Sequence, residues 1–140
     1  MKKGLVLDCS ITSCWCFDDE ERAYADAVFT ALDVYAAKVP ALWLLETANV
    51  LLIAERKKRI SAADTAKFWA LLGRLPIAIE SSLSFAVSRD ITALGRTYQL
   101  SAYDACYLEL ALREGHVVAT QDDALKKACR RAGVALFVAQ

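Results

Sequence analysis

Short apolar runs recur along this chain, and a segment with helical spacing separates each run from the next. Gly4-Leu-Val-Leu7, Pro76-Ile-Ala-Ile79, His116-Val-Val-Ala119 and Val134 to Val138 are the runs. Such brief, non-alternating stretches are what strands buried on both faces look like. Between them, helical periodicity covers Glu20 to Ala37, with Asp18 or Asp19 as its cap and Val39-Pro40 as its stop. A very apolar helix follows from Ala41 to Lys58. Ser61-x-x-Asp64 then opens a helix to about Leu75, and another runs from Leu83 to Tyr98. Ser101-x-x-Asp104 opens a further one ending near Gly115, and the last covers Asp122 to Ala132, stopped by Gly133. Strands alternating with helices require crossover connections, and therefore a mainly parallel sheet. The expectation is an α/β fold in one domain over residues 1–140, with four to five short strands flanked by helices.

A chain of 140 residues with 56% hydrophobic content buries roughly two-thirds of its unfolded surface, enough to fold without a metal or disulfide staple. No apolar run approaches the ~20 residues of a membrane span, and the stretch before Asp8 is too short for a signal-peptide core. No membrane association and a cytoplasmic location are expected. Seventeen acids balance seventeen bases, so no bulk positive field advertises nucleic acid. That neutrality is conditional. With four carboxylates taken up by cations, 17 bases face 17 − 4 = 13 acids, an excess of four positive charges. The five cysteines, Cys9, Cys14, Cys16, Cys106 and Cys129, lack zinc-site spacing and read as small apolar residues in a reducing compartment. With His116 the only histidine, chemistry here falls to carboxylates.

Four acids stand among residues that belong in a core. Asp8 ends the first apolar run, at the carboxyl edge where open α/β sheets bind ligands; its competing reading is a turn acid. Glu46 interrupts the apolar helix, with Leu42, Leu45, Asn49, Val50 and Ile53 on its own side. An ionised carboxylate there is costly unless paired or coordinated, and nothing nearby on this helix supplies an arginine partner; Asn49 is placed to orient it. Asp104 shares a stripe with Tyr107, Leu108 and Ala111, although the capping box with Ser101 also accounts for it. Asp122 follows the apolar 117–119 run. An N-cap role would explain it, but Thr120-x-x-Asp123 can supply the cap instead and leave Asp122 free. Several carboxylates ionise together only around cations. Hard oxygen ligands select Mg²⁺ or Mn²⁺, and an ion so held suits phosphodiester hydrolysis.

Four stretches carry a resemblance that spans almost the whole chain. They are Leu7-Asp8-Cys-Ser10 with Trp15 and Asp19-Glu20; Pro40-x-Leu-Trp-x-x-Glu46-x-x-Asn49; Leu100-Ser-Ala-Tyr-Asp104-Ala-x-Tyr; and Ala119-Thr120-x-Asp122 with Ala132-Gly133-Val134 behind it. In this the chain resembles the PIN-domain ribonucleases, specifically the VapC-like toxins of type II toxin–antitoxin modules. The resemblance implies that Asp8, Glu46, Asp104 and Asp122 are the catalytic acids and hold Mg²⁺ or Mn²⁺. Ser10, Asn49 and Thr120 would be supporting polar residues, and Asp123 makes the fourth ligand ambiguous. It further implies an RNA substrate, with transfer RNA among the candidates, a cognate antitoxin that covers the acidic groove, and a homodimer.

Basic residues available for RNA phosphates are Arg22, Arg56, Lys57, Lys58, Arg59, Lys126, Lys127, Arg130 and Arg131, each of which also suits an ordinary solvated face. A catalytically silent module that docks a basic partner segment is the alternative, and the intact quartet argues against it. A phosphatase or phosphate-receiver domain using Asp8 fits poorly. Ser10 stands where the phosphatase needs a second acid, and no Gly-rich phosphate loop is present.

Overall fold

The computed structural model describes residues 2–17, 22–81 and 83–139. Its centre is a four-stranded, wholly parallel sheet made of β1 (Lys3–Leu7), β2 (Tyr35–Pro40), β3 (Ile77–Glu80) and β4 (Val117–Ala119), in the order β3-β2-β1-β4. The α/β expectation is met. β1 pairs with β2 from Lys3↔Tyr35 to Val6↔Lys38, and with β4 from Leu5↔Val117 to Leu7↔Ala119. Leu5, Val6, Leu7 and Val118 are completely buried, which explains the unbroken apolar runs. From β1 the chain builds outward through β2 and β3, then returns to add β4 on the opposite side. The sheet order therefore reverses between β1 and β4, and a crevice opens there at the strands' carboxyl ends.

Among the described residues seven helices cover the sheet: α1 (Cys9–Cys16), α2 (Ala23–Ala31), α3 (Leu42–Arg56), α4 (Ala62–Arg74), α5 (Phe85–Tyr98), α6 (Ala102–Glu114) and α7 (Asp123–Ala132). Several start on side-chain caps legible in the sequence. Ser61 and Asp64 form a complete capping box, Ser84 accepts the Val87 N–H, and Gly115 and Gly133 end α6 and α7 in the left-handed region. Tryptophans pin α1 to its neighbours: the Trp15 Nε1–H donates to the Ala25 carbonyl and the Trp43 Nε1–H to Thr12 Oγ1.

Four expectations are corrected. The helix read over Glu20 to Ala37 ends at Ala31, and Tyr35–Pro40 is strand β2. Its ladder to β1 and β3 outweighs the local helical spacing. Asp18 and Asp19, read as caps, and the Asp19-Glu20 pair lie outside the described residues. α1 was not foreseen at all. Val134 to Val138 contributes only an isolated bridge, Val118↔Leu136, because the chain leaves the sheet edge after that contact. Helix α3 is not enclosed all round: Trp43, Thr47, Leu51 and Ala54 form its buried seam, whereas Leu44, Leu45, Leu52 and Ile53 face outward.

At the edge away from the crevice, Glu109 is buried and receives two bonds from Arg113, Nε to Oε2 at 2.8 Å and Nη2 to Oε1 at 3.1 Å. Arg113 also reaches Glu80, and Lys38 pairs with Glu80 and Glu114. The network neutralises the one acid outside the crevice that is buried among the described residues. His116 has a packing duty, since a Cβ placed on Gly4 would coincide with its imidazole ring. Gly4→Ala is thus expected to cost about 1–3 kcal/mol through overpacking. In a His116→Ala background the same change should cost far less, and urea unfolding of the four-member cycle measures the difference.

Candidate active site

The four singled-out acids all stand at the crevice end of the sheet. Asp8 follows β1 directly and Asp122 follows β4 after two residues. Glu46 lies in the second turn of α3, which starts just after β2, and Asp104 in the first turn of α6.

Asp8 is the anchor. Its backbone N–H donates to the Ala119 carbonyl at 3.1 Å, extending the β1–β4 ladder by one bond. Its side chain is 5% exposed, and Oδ2 accepts two hydroxyls, Ser10 Oγ at 2.8 Å and Thr120 Oγ1 at 2.5 Å. These hydroxyls are held in turn. The Gln121 N–H donates to Ser10 Oγ at 2.9 Å and the Asp122 N–H to Thr120 Oγ1 at 3.0 Å. The tips of β1 and β4 are stitched together through one carboxylate. Burial raises the Asp8 pKa, the two hydroxyl bonds oppose that shift, and the Asp122 charge adds to it.

Glu46 is held from across the crevice: the Tyr107 hydroxyl donates to Glu46 Oε1 at 2.5 Å. Burial raises the Glu46 pKa, the tyrosine bond works against this, and the Asp8 charge reinforces it. Asp104 is pushed up to about 6 by burial and then by the charges of Asp122, Asp8 and Glu46. Asp104 therefore lies within the field of the other three, and Asp8 within that of Asp122. No Lys or Arg among the described residues pairs with any of them.

Two capping expectations change. Ser101 Oγ accepts the Asp104 N–H, but the reciprocal bond of a full box is not made, so the Asp104 carboxylate has no capping duty. Asp122, expected to be free of one, is the N-cap of α7, with Oδ2 accepting the Leu125 N–H at 2.8 Å. Thr120 cannot share a cap with Asp123 because its hydroxyl is committed to Asp8 and to the Asp122 N–H. Asp123 is exposed, and so is Asn49, which makes no bond to Glu46.

The donor chemistry suits a hard dication. Side-chain and capping bonds engage Oδ2 of Asp8, Oε1 of Glu46 and Oδ2 of Asp122, leaving their companion oxygens and both of Asp104 without a side-chain donor among the described residues. Among those residues no buried side-chain oxygen or nitrogen lacks a partner. Soft ligation is disfavoured, because burial pushes the nearby thiols up, Cys9 to about 12 and Cys129 to about 11, and both stay protonated. Among the described residues, however, no three His, Cys, Asp or Glu side chains come together in the arrangement of a formed metal site.

Tyr107 and Gln121 were not recognised from sequence as site residues. A tyrosine on the buried stripe of Asp104 needs a partner for its hydroxyl, a usable signal for Tyr107. For Gln121, whose Oε1 accepts the Cys14 thiol at 3.0 Å, no such signal exists.

The sequence matches the PIN domain family over residues 5–131. Among solved structures, PAE2754 from Pyrobaculum aerophilum aligns with a TM-score of 0.70 at 20% identity, over 91% of this chain and 87% of that one. FitAcB from Neisseria gonorrhoeae aligns at 0.65 and 16%, over 96% of each chain. A toxin–antitoxin complex from Klebsiella pneumoniae aligns at 0.56 and 18%, over 84% and 86%. At such identities these structures speak to fold alone. No curated protein matches the chain in sequence.

Asp104 links the cluster to stability. Its folded-state pKa of about 6 exceeds the ordinary 3.8, so between these values the native chain keeps a proton that the unfolded chain has lost. Stability falls as pH rises through that window and stays lower above it. Asp104→Asn should raise the metal-free Tm at pH 7 by about 3 °C, allowing for solvent screening of this half-buried group. The gain should vanish near pH 4, and calorimetry at the two pH values checks both. A Tm that drops at pH 7 would mark Asp104 as a structural cap.

Proposed function

Because the chain belongs to the PIN domain family, we propose that it is a Mg²⁺- or Mn²⁺-dependent endoribonuclease, the VapC-like toxin of a toxin–antitoxin pair. The observation that supports this best is the electrostatic coupling that links Asp104 to Asp8, Glu46 and Asp122 at the crevice between β1 and β4, with no basic side chain among the described residues paired to any of them. Structural ion pairs such as Arg113–Glu109 exist in this molecule, but among the described residues the crevice acids have none. They await a cation from outside.

In this reading the second oxygens of Asp8, Glu46 and Asp122, with Asp104, hold the metal, which when bound polarises the phosphoryl oxygen and lowers the pKa of the attacking water. The protein's own work is to fix those oxygens. Ser10 and Thr120 clamp Asp8, Tyr107 sets the rotation of Glu46, and the α7 cap bond orients Asp122. Asp104 must lose its proton before it can coordinate, so metal affinity should weaken as pH falls through about 6.

The remaining partners of the proposal are an antitoxin and a second copy of the chain. Both find support in the outward apolar face of α3, with Leu45 at 73% exposure, and in Phe85 at 88%. One of the aligned structures is a toxin–antitoxin complex, that from Klebsiella pneumoniae. No helix among the described residues is long and apolar enough to cross a membrane. A cytoplasmic site of action is consistent with five cysteines that form no disulfide among the described residues.

Cleavage of bulk transfer RNA and of single-stranded RNA by antitoxin-free protein tests the proposal, with Mn²⁺, Mg²⁺ or chelator. Asp8→Asn, Glu46→Gln and Asp104→Asn should each abolish metal-dependent cutting while the far-ultraviolet circular dichroism is retained. Ser10→Ala and Tyr107→Phe, which remove only the supports, should cost roughly 10–100-fold. Folded protein that neither binds Mn²⁺ nor cuts either RNA would sink the nuclease reading in favour of a docking module.

A further inference from the structure

Helix α7 is divided sharply by polarity. Leu125, Ala128 and Cys129 form its buried seam. At 100° per residue, Lys126, Lys127, Arg130 and Arg131 fall on the side directly opposite, and Lys127, Arg130 and Arg131 are exposed. Over Asp122 to Ala132 the balance is four bases against two acids, a net of 4 − 2 = +2. None of the four cations is paired with a carboxylate among the described residues. Even Asp123, one turn from Lys127 on the same face, makes no ion pair with it.

Two further features give this stripe a direction. It starts at the crevice, because the cap of α7 is Asp122, one of the four coupled acids. It ends at a ring: the Arg131 guanidinium lies over Tyr98 at 5.4 Å from the ring centroid, joining the stripe to the last turn of α5 and its Arg96. The contact holds a long cationic side chain near one place and lowers the ordering cost of using it. From Asp122 to Arg131 the helix rises about 14 Å.

A polyanion brought to four carboxylates meets like charge at the site itself. It needs compensation close by, on a face that leads away. We propose that the RNA strand leaves the crevice along the solvent face of α7, its phosphates on Lys126, Lys127 and Arg130, with Arg131 steadied on Tyr98 at the far end. The proposal rests on the nuclease reading for the identity of the strand and deepens it by naming the track. The basic cluster at the end of α3 is a poorer starting point. Arg56 lies ten residues beyond Glu46, about 15 Å along the axis, whereas α7 begins at one of the four acids itself.

The test is the salt dependence of binding of a short fluorescein-labelled single-stranded RNA to the full chain, in chelator so that no strand is cut. Lys127→Ala with Arg130→Ala should weaken binding at least tenfold. The slope of log affinity against log salt should shrink by about 1.4, two phosphate contacts at roughly 0.7 each. Lys127→Arg with Arg130→Lys should keep the slope, and Arg56→Ala with Lys57→Ala should change it by less than half as much. An unchanged slope in the α7 variant overturns the track, as does an equal loss from the α3 pair, which would signify a diffuse field. Loss of polyglutamate binding with RNA binding intact overturns it in favour of an acidic protein segment. Absence of RNA binding by the unaltered chain overturns it outright. Cleavage in Mn²⁺ is followed in parallel. Binding that responds as expected without any cutting supports the track and sinks the nuclease reading alone.

Discussion

A carboxylate that is only 5% exposed persists at the tip of a central strand because two hydroxyls donate to it. Without Ser10 and Thr120, burial of Asp8 in the charged state would cost several kcal/mol. With them, the same group becomes a fastener. Ser10 comes from the first turn of α1 and Thr120 from the end of β4, so the loop after β1 and the loop after β4 are fixed by one oxygen. The Asp122 N–H, bonded to Thr120, then sets where α7 begins. The position of Asp122, and of the cations that begin one turn beyond it at Lys126, follows from how Asp8 is satisfied.

Sheet order supplies the reason that these loops are adjacent. β4 pairs with β1 on the side that β2 leaves open, so the first and last strands of the sequence become neighbours. The long-range cost of that closure is met by strands whose side chains are wholly buried. The helices add the other two acids, Glu46 on the one that follows β2 and Asp104 on the one that precedes β4. Tyr107, three residues after Asp104 and completely buried, crosses to Glu46 and couples the two helices at the level of the site. Packing and chemistry share this residue: its ring fills the core and its hydroxyl aims a carboxylate.

Much of this was legible in the residues themselves. The apolar runs at β1, β3 and β4 and the serine caps of α4 and α6 located their elements, because burial on both faces and orphan backbone donors leave local marks. Strand β2 left none. Tyr35-Ala-Ala-Lys-Val-Pro follows a helix after a three-residue turn without Gly or Pro, and its identity comes from ladders to residues far away in sequence. Helix α1 starts with no side-chain cap and carries Ile11 and Thr12, both β-branched. The four acids stood out as charges where a core was expected. Their supports did not, since the Tyr107–Glu46 bond spans 61 residues and the Thr120–Asp8 bond 112. The choice between Asp122 and Asp123 as cap was open in sequence. It is decided by the commitment of the Thr120 hydroxyl, a three-dimensional fact.

The net charge of zero conceals a separation. Asp8, Glu46, Asp104 and Asp122 concentrate negative charge in one crevice, and burial there strengthens each mutual repulsion. The compensating positive charge is not mixed among them but displaced onto surfaces such as the outer face of α7. A salt bridge inside the crevice would have stabilised the metal-free fold, but it would also have occupied the oxygens that a dication needs and softened the field that draws it in. Keeping the two signs apart leaves the metal-free cluster strained, with Asp104 holding its proton up to about pH 6. It also means that a dication, on entering, offsets part of the crowded negative charge and so strengthens the hold that cations already at the rim have on a phosphate chain. Strain in the empty cluster and affinity for a polyanion in the filled one then have the same origin, four acids that no basic side chain among the described residues neutralises.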